Sequence, residues 1–482
     1  MVLPNEKNEN TSGSSAELSG LEDSTYSLNI NKPPANVWDV ERLGPATDGM
    51  VPIDKAAKEN TDEEQCSDAK SRIVTDADGN TYPEGGPQAW LVVFGAFCAL
   101  TSSFGILNIL GTFQAYLSEN QLRNYDEGKI GWISGVFSFL TFVASFPLGP
   151  VFDKYGPRWL IFIGSILLIL SVMLLGVFTK YWHFMLGFGI LGGLGASLLF
   201  TPSISAIAHW FLIRRGHATG LAALGPSVGG IVWPLMLQQL FTKLSFAWST
   251  RILGFCLLFL CILANLLIRS RLPPRMGASV WPDLRVFRDR TFTLLVLGIF
   301  FMDWGLFIPT TYISSYALSQ PNTSTAFSYQ VLAFLYAGSC LGRWLAGYIA
   351  DRVGRFNTQI LALGACAIVN FALWLPAGDS VPMICLFAVV FGFTSGSNVS
   401  LTPVCVGQLC KTEEYGRYYA TCYSLVAFSA LTGIPITGSL ITACNGSYWG
   451  LIVWTGLSYV IAAVLVASAR VRKVGFGLKT VY

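Results

Sequence analysis

Two ionisable residues stand in stretches of sequence that are otherwise apolar. Asp303 lies about twelve residues into a run that begins near residue 291, and Arg343 lies about seven residues from the end of the next run, 327–350. A charge at the centre of a membrane helix costs on the order of 2.5–3.5 kcal/mol on insertion, so each calls for a partner or a task. The guanidinium of Arg343 is a planar fork that can hold a carboxylate by two parallel hydrogen bonds. Asp303 can carry a proton, or neutralise Arg343 while no anion is bound. Consecutive helices run in opposite directions, and at a rise of about 1.5 Å per residue the two positions differ in depth by roughly 7 Å. That gap is within reach of a long arginine or of one bridging water. A structural ion pair, or an arginine whose head snorkels to the interface, accounts for the same positions. Asn108, Gln114, Tyr312, Tyr316, Tyr336 and Asn398 lie on neighbouring runs and are further candidates for lining a cavity.

Other chemistries are poorly provided for. The 482 residues include three histidines, and His183, His209 and His217 fall near the ends of apolar runs, away from any cluster of cysteine and carboxylate. None of the eleven cysteines forms a C-x-x-C pair, so neither a metal nor a cofactor is expected. A formal net charge of +3 argues against a nucleic-acid partner. No Gly-x-x-x-x-Gly-Lys-[Ser/Thr] phosphate loop occurs, so ATP is not the expected energy source. The residues are 52% hydrophobic and 12% charged, about half the charge of a soluble domain, and the expected setting is a lipid bilayer.

The elements that must position Asp303 and Arg343 follow from the apolar runs, each near the roughly 20 residues that a membrane helix needs. They fall at 88–116, 129–150, 159–178, 183–210, 217–241 and 249–269, then at 291–317, 327–350, 356–376, 381–410, 418–442 and 447–469. Backbone polar groups in lipid must pair within the segment, so the expected fold is all-α, with twelve transmembrane helices in two sets of six. Residues 85–269 and 291–469 are the two expected bundles, joined by a cytoplasmic linker at 270–290 and followed by a tail at 470–482. Residues 1–84 carry a net charge of −10 against +13 for the rest, contain no apolar run and read as a disordered acidic tail. Lys and Arg concentrate in alternate connections (Lys154, Arg158, Arg214, Arg215, Arg271, Arg288, Arg355 and Lys473 among them), which places both termini in the cytoplasm. Asn322-Thr-Ser and Asn445-Gly-Ser then fall on outer loops as candidate glycosylation sites.

The halves repeat. Gly149-Pro-Val-Phe-Asp153-Lys-Tyr-Gly156-Pro157-Arg158 follows the second run, and Gly347-Tyr-Ile-Ala-Asp351-Arg352-Val-Gly354-Arg355 follows the eighth. Thr201-Pro202 and Thr402-Pro403 recur at nearly the same offset, as do Pro234 and Pro435, the pattern of a duplicated six-helix unit. These loops resemble the G-x-x-x-D-[RK]-x-G-R signature of the major facilitator superfamily, intact in the second half and lengthened by Pro157 in the first. Pro83-Glu-Gly-Gly-Pro-Gln-Ala-Trp90 and Trp210-Phe-Leu-Ile-Arg-Arg-Gly-His-Ala-Thr-Gly220 are similar to elements of its monocarboxylate-porter-like branch, fungal members above all. The resemblance implies two bundles that rock about a central site, with Gly149, Asp153, Arg158, Asp351, Arg352 and Arg355 as the conformational switch.

It also implies a carrier of a small molecule, anionic and with protons as a candidate partner; the plasma membrane is the default location, other endomembranes remaining open, since no motif in the tail points elsewhere. The branch places an Asp four residues before the eighth-span arginine and a Lys in the first span. This chain has Ser339 and Asn108 at those positions, which tilts the expectation from proton symport towards export or facilitated diffusion. A proton-coupled monocarboxylate or vitamin importer, and a sensor that binds solute without moving it, are the alternatives.

Overall fold

A computed structural model describes residues 74–76, 79–125, 127–272, 284–321 and 325–475. Most of the expected tail and linker, Asn322, and the last residues of the C-terminal tail lie outside these. The described chain is helical apart from one two-stranded hairpin.

Among the described residues, eleven helices are long and apolar enough to cross a membrane. The first six spans are Pro87–Asn108, Gly128–Tyr155, Arg158–Val177, Tyr181–Ala208, Arg215–Lys243 and Phe246–Leu267. The seventh is Arg290–Leu318; the ninth to twelfth are Arg355–Trp374, Val381–Val406, Thr412–Ala443 and Trp449–Val474. The stretch expected as the eighth span folds as one helix, Thr325–Val353, with Arg343 and several small polar residues lowering its hydropathy. Outward-facing residues are apolar: Trp159 is 70% exposed and Leu361 67%, the arrangement of a surface solvated by hydrocarbon rather than water.

Close helix contacts rest on small residues. The eighth and tenth spans meet through Gly338, Gly342, Gly392 and Gly396; a Cβ at Gly396 would stand 2.5 Å from Ser339 Oγ and 2.7 Å from the Ser339 carbonyl. Without a hydrophobic drive between helices in lipid, this backbone proximity is what packing can use. It fixes the face of the eighth span that carries Ser339 and Arg343.

Two expected boundaries move. Val74–Thr75 and Thr81–Tyr82 pair as an antiparallel hairpin, Tyr82 is fully buried and Glu84 is buried, so structure starts well before residue 85. Composition had marked this stretch as solvated, but hydrogen bonds to the loop after the fourth span hold it. At the other end the twelfth helix continues to Val474 and buries Arg470, past the expected limit at 469.

Candidate functional site

Span five is broken by its own sequence. Pro226 lacks an N–H and its ring crowds the preceding turn, and the helix divides into Arg215–Ala222 and Leu224–Lys243. Carbonyls near the break are taken by side chains from other helices. Arg343 Nη1 donates to the Ala223 carbonyl at 2.7 Å, and Asn108 Nδ2 donates to that of Pro226 at 2.8 Å. Arg343 Nε donates in addition to Ser339 Oγ at 3.1 Å. Since Arg343 belongs to the second bundle and Ala223 to the first, the guanidinium is a bridge between them.

Above this bridge lies a cavity between the bundles. Asn108, Phe104, Phe142 and Phe200 line it from the first half, and Asp303, Tyr336, Arg343, Tyr419 and Tyr423 from the second. Its volume is about 80 Å³. That is room for a few waters, so a solute of any size requires the bundles to part.

Asp303 and Arg343 share the cavity wall without forming the ion pair expected of them. The arginine is satisfied by Ser339 and the span-five carbonyl, and Asp303 Oδ2 is buried with no hydrogen-bond partner. Asn108 and Tyr336 line the cavity. The other candidates do not line it. Asn398 donates to Cys366 Sγ at 3.3 Å, and Tyr316 donates to the Gly378 carbonyl at 3.0 Å. The Tyr312 hydroxyl lies beside Gly438.

The repeated loops close one face of the molecule. Asp153 of the first half accepts from the backbone N–H groups of Gly416 (3.1 Å) and Arg417 (3.0 Å), at the start of the eleventh span's main helix, Tyr415–Ala443. Asp351 of the second half accepts from those of Gly216 (2.9 Å) and His217 (2.8 Å), at the start of the fifth span. Each carboxylate therefore caps a helix of the opposite bundle, where unpaired N–H groups and the helix dipole favour negative charge. Glycines permit the approach: a Cβ at Gly216 would stand 2.5 Å from Asp351 Oδ1, and one at Gly149 2.5 Å from the Ala420 Cβ.

The arginines of the two loops part company. Arg355 Nε lies 3.7 Å from Asp351, and its Nη2 donates to the Leu212 carbonyl at 2.5 Å. Arg158, displaced one residue by Pro157, is exposed, and Arg352 sits over the Tyr348 ring at 4.2 Å. Neither joins its aspartate.

Several contributors escaped the sequence reading. Glu84 accepts from the N–H groups of Leu212 (2.5 Å), Ile213 (2.8 Å) and Arg214 (2.9 Å), so the same three-residue segment has its donors held by Glu84 and a carbonyl held by Arg355. Glu84 adopts a φ of 52°, a left-handed conformation that costs a non-glycine residue roughly 1–2 kcal/mol. The hairpin before it bridges further: Asn80 Nδ2 donates to Glu413 Oε1 at 3.3 Å, and Arg271 donates to the backbone and hydroxyl of Thr81. Burial pushes the Tyr82 phenol up to about 12, so it remains a neutral donor to Asp76 at 2.9 Å. Arg215, read as one of the loop charges, is buried and reaches across to the Gly407 carbonyl and Thr412 Oγ1, at 3.1 and 3.2 Å. For the cavity, the spacing Tyr415, Tyr419, Tyr423 was a usable signal, since residues four apart share one helix face.

Comparison with known proteins agrees with this architecture. The Major Facilitator Superfamily model matches residues 92–381. The chain is 36% identical over 420 residues to a riboflavin transporter of Saccharomyces cerevisiae, covering 82% of this chain and 80% of that one. It is 31% identical over 440 residues to the fujikurins efflux protein of Gibberella fujikuroi, covering 90% and 94%. Among solved structures, the E. coli transporter FucP in its outward conformation superposes with a TM-score of 0.63 at 17% identity, over 79% of this chain and 99% of that one. Twelve long helices in two repeated sets, aspartates that cap helices across the bundle interface, and relatives aligned over most of their length lead to one assignment: the chain belongs to the Major Facilitator Superfamily.

Proposed function

We propose that this protein is a secondary transporter of a small organic anion or carboxylated metabolite, of the monocarboxylate-porter-like type, working by alternating access. One observation carries the reading: a buried guanidinium at the wall of the inter-bundle cavity that has no carboxylate partner. An anion can engage the N–H groups of Arg343 that Ser339 and Ala223 leave unused, and its charge weakens the hold of the guanidinium on the Ala223 carbonyl. Substrate binding and release of the bundles are thereby coupled. The clasped face is the cytoplasmic one on the distribution of Lys and Arg, which makes the present conformation outward-facing or occluded. The chain resides in the plasma membrane, and Asn445, exposed in the connection before the twelfth span, is open to glycosylation from outside.

Direction is the finer question. One relative is named for efflux and another for riboflavin, and the absence of the branch's symport residues at 108 and 339 favours export of a metabolite. Proton-coupled import is the second reading, and the unpartnered carboxyl oxygen of Asp303 favours it, because a proton carrier is what the branch's missing Asp would have supplied.

Flux of labelled lactate and larger carboxylates into proteoliposomes, with and without a pH gradient, tests both. Carboxylate flux cut at least tenfold in Arg343→Ala, and less in Arg343→Lys, is the expected result. Flux that is indifferent to Arg343 overturns the anion reading. Acid stimulation abolished in Asp303→Asn selects proton coupling over export.

A further inference from the structure

The rings at the cavity are not a lining of one bundle. Phe104, Phe142 and Phe200 come from the first, second and fourth spans, and they meet Tyr419 and Tyr423 of the eleventh across the interface between the halves. Phe142 and Tyr423 are stacked, with centroids 5.7 Å apart and planes at 20°. Phe200 meets Tyr423 edge-on at 5.1 Å and Tyr419 at 5.5 Å, and Phe104 closes on Phe200 at 4.6 Å. All these contacts but the last join bodies that must separate for a solute to pass. Aliphatic side chains would seal such a seam as well as rings do, but only rings present flat faces with a directional preference for other rings.

When the bundles part, Phe142 and Tyr423 lose their stacking partners, and a planar ring entering between them restores both contacts. The polar groups at the same wall set what that ring carries. Arg343 has five N–H donors, of which Ser339 and Ala223 take two. Asp303 Oδ2 is buried, at the cavity, and unpartnered. An acceptor-only anion satisfies the arginine and leaves Asp303 orphaned, whereas a ligand that also bears an O–H or N–H satisfies both.

We propose that the substrate is a planar aromatic carboxylate carrying an additional hydrogen-bond donor, gripped by Arg343, by Asp303 and by the ring faces of Phe142, Phe200 and Tyr423. The proposal rests on the anion reading above and narrows it to a substrate class.

Equilibrium binding of four labelled probes to the purified protein in nanodiscs tests it: 4-hydroxybenzoate, benzoate, cyclohexanecarboxylate and benzamide, with protein-free nanodiscs as the blank. Benzoate and cyclohexanecarboxylate share charge and carbon count, so their ratio isolates the ring. The expected order is 4-hydroxybenzoate, then benzoate, then cyclohexanecarboxylate, with about a tenfold gap between the last two for two ring contacts. Phe200→Leu and Tyr423→Leu should collapse that gap, with benzoate falling to the level of cyclohexanecarboxylate in the same variant. Phe200→Tyr and Tyr423→Phe, which keep the rings and serve if the leucine variants fail to fold, should retain it.

Equal binding of benzoate and cyclohexanecarboxylate, both lost in Arg343→Ala, overturns the aromatic class and leaves the anion reading standing. Benzamide binding as well as benzoate overturns the anion reading and this proposal with it. Binding of none of the four overturns the proposal at the wild-type protein, whatever lactate flux shows.

Discussion

The two clasps on the loop-bearing face are related by the internal repeat, yet they are not equally built. Asp153 and Asp351 each receive two backbone N–H groups from a helix of the other bundle, at distances within 0.3 Å of one another. Beyond that the symmetry fails. The Asp351 clasp is backed by Arg355, which spans from the aspartate to the Leu212 carbonyl, and Glu84 holds the other side of the 212–214 segment. At Asp153 the arginine of the loop, Arg158, points into solvent, because Pro157 lengthens the connection by one residue. The internal repeat carries two equivalent helix caps, and only the second is reinforced by the arginine of its own loop. The fifth–eighth clasp has the added hydrogen bonds, so the second–eleventh clasp is the one expected to open first when the bundles rock.

This ranking can be broken by substitution. The readout throughout is the fraction of molecules closed on the loop-bearing face, measured as the distance distribution between spin labels placed across it. Every 1.4 kcal/mol is a tenfold change in the closed-to-open ratio. Asp351→Ala carries the largest expected effect. It removes two charge-assisted bonds, each worth about 1.5–3 kcal/mol, and leaves Arg355 without its acid, for a loss of about 4 kcal/mol in closed-state preference. Asp153→Ala should lose about 3 kcal/mol, from the loss of the same two bonds. Equal losses at the two positions would sink the ranking.

Gly149→Ala comes next and acts by crowding instead of deletion. The new Cβ would lie 2.5 Å from that of Ala420 and closer still to the Gly416 carbonyl, and neither neighbour is the end of a flexible side chain. Overpacking of this kind costs about 1–3 kcal/mol, and it falls on the closed state alone, so the expected result is a population shifted to open with an unchanged melting temperature. A lowered melting temperature with an unshifted distance distribution would show that the contact belongs to folding and not to gating.

Much of this architecture was legible in the sequence. Apolar runs marked the spans within a few residues, because the bilayer imposes one length on every helix. The offset between Asp153 and Asp351 exposed the repeat. What was not legible depended on partners far along the chain. Nothing local to Glu84 says that it will meet Leu212, Ile213 and Arg214, and an acidic, proline-containing neighbourhood reads as solvated. Arg215 sits in a loop sequence indistinguishable from other basic connections, and only the packed structure shows its guanidinium spent on Phe211, Gly407, Ala208 and Thr412. Asp303 and Arg343 both line the one cavity, and of the readings their sequence positions left open, a direct ion pair between them is not the one present. The break in span five supplied a carbonyl instead.

Glu84 sharpens the comparison from the reinforced side. Glu84→Gln keeps the shape and one acceptor oxygen but removes the charge shared by three N–H groups, and the expected loss is about 1.5 kcal/mol of closed-state preference. Because Glu84 and Arg355 grip opposite sides of one segment, the double variant Glu84→Gln with Arg355→Ala should lose less than the sum of the singles, a coupling that independent sites do not show. Strict additivity would mean that the two merely neighbour the loop.

The smallest expected effect is at Arg158, and it is the most discriminating. A surface arginine of the signature, present in the right loop and on the right side, would be assigned the role of Arg355 by analogy between the halves. Geometry assigns it none: the inserted Pro157 carries it away from Asp153, and exposed charges of this kind contribute under about 0.5 kcal/mol. Arg158→Ala should leave the distance distribution where it was, while Arg355→Ala should lose about 1–2 kcal/mol, the worth of its hydrogen bonds to a carbonyl and a carboxylate. If Arg158→Ala opens the face as readily as Arg355→Ala does, the asymmetry described for this conformation is not the one that governs the cycle, and the first-half arginine must reach its aspartate in a state with the bundles differently set.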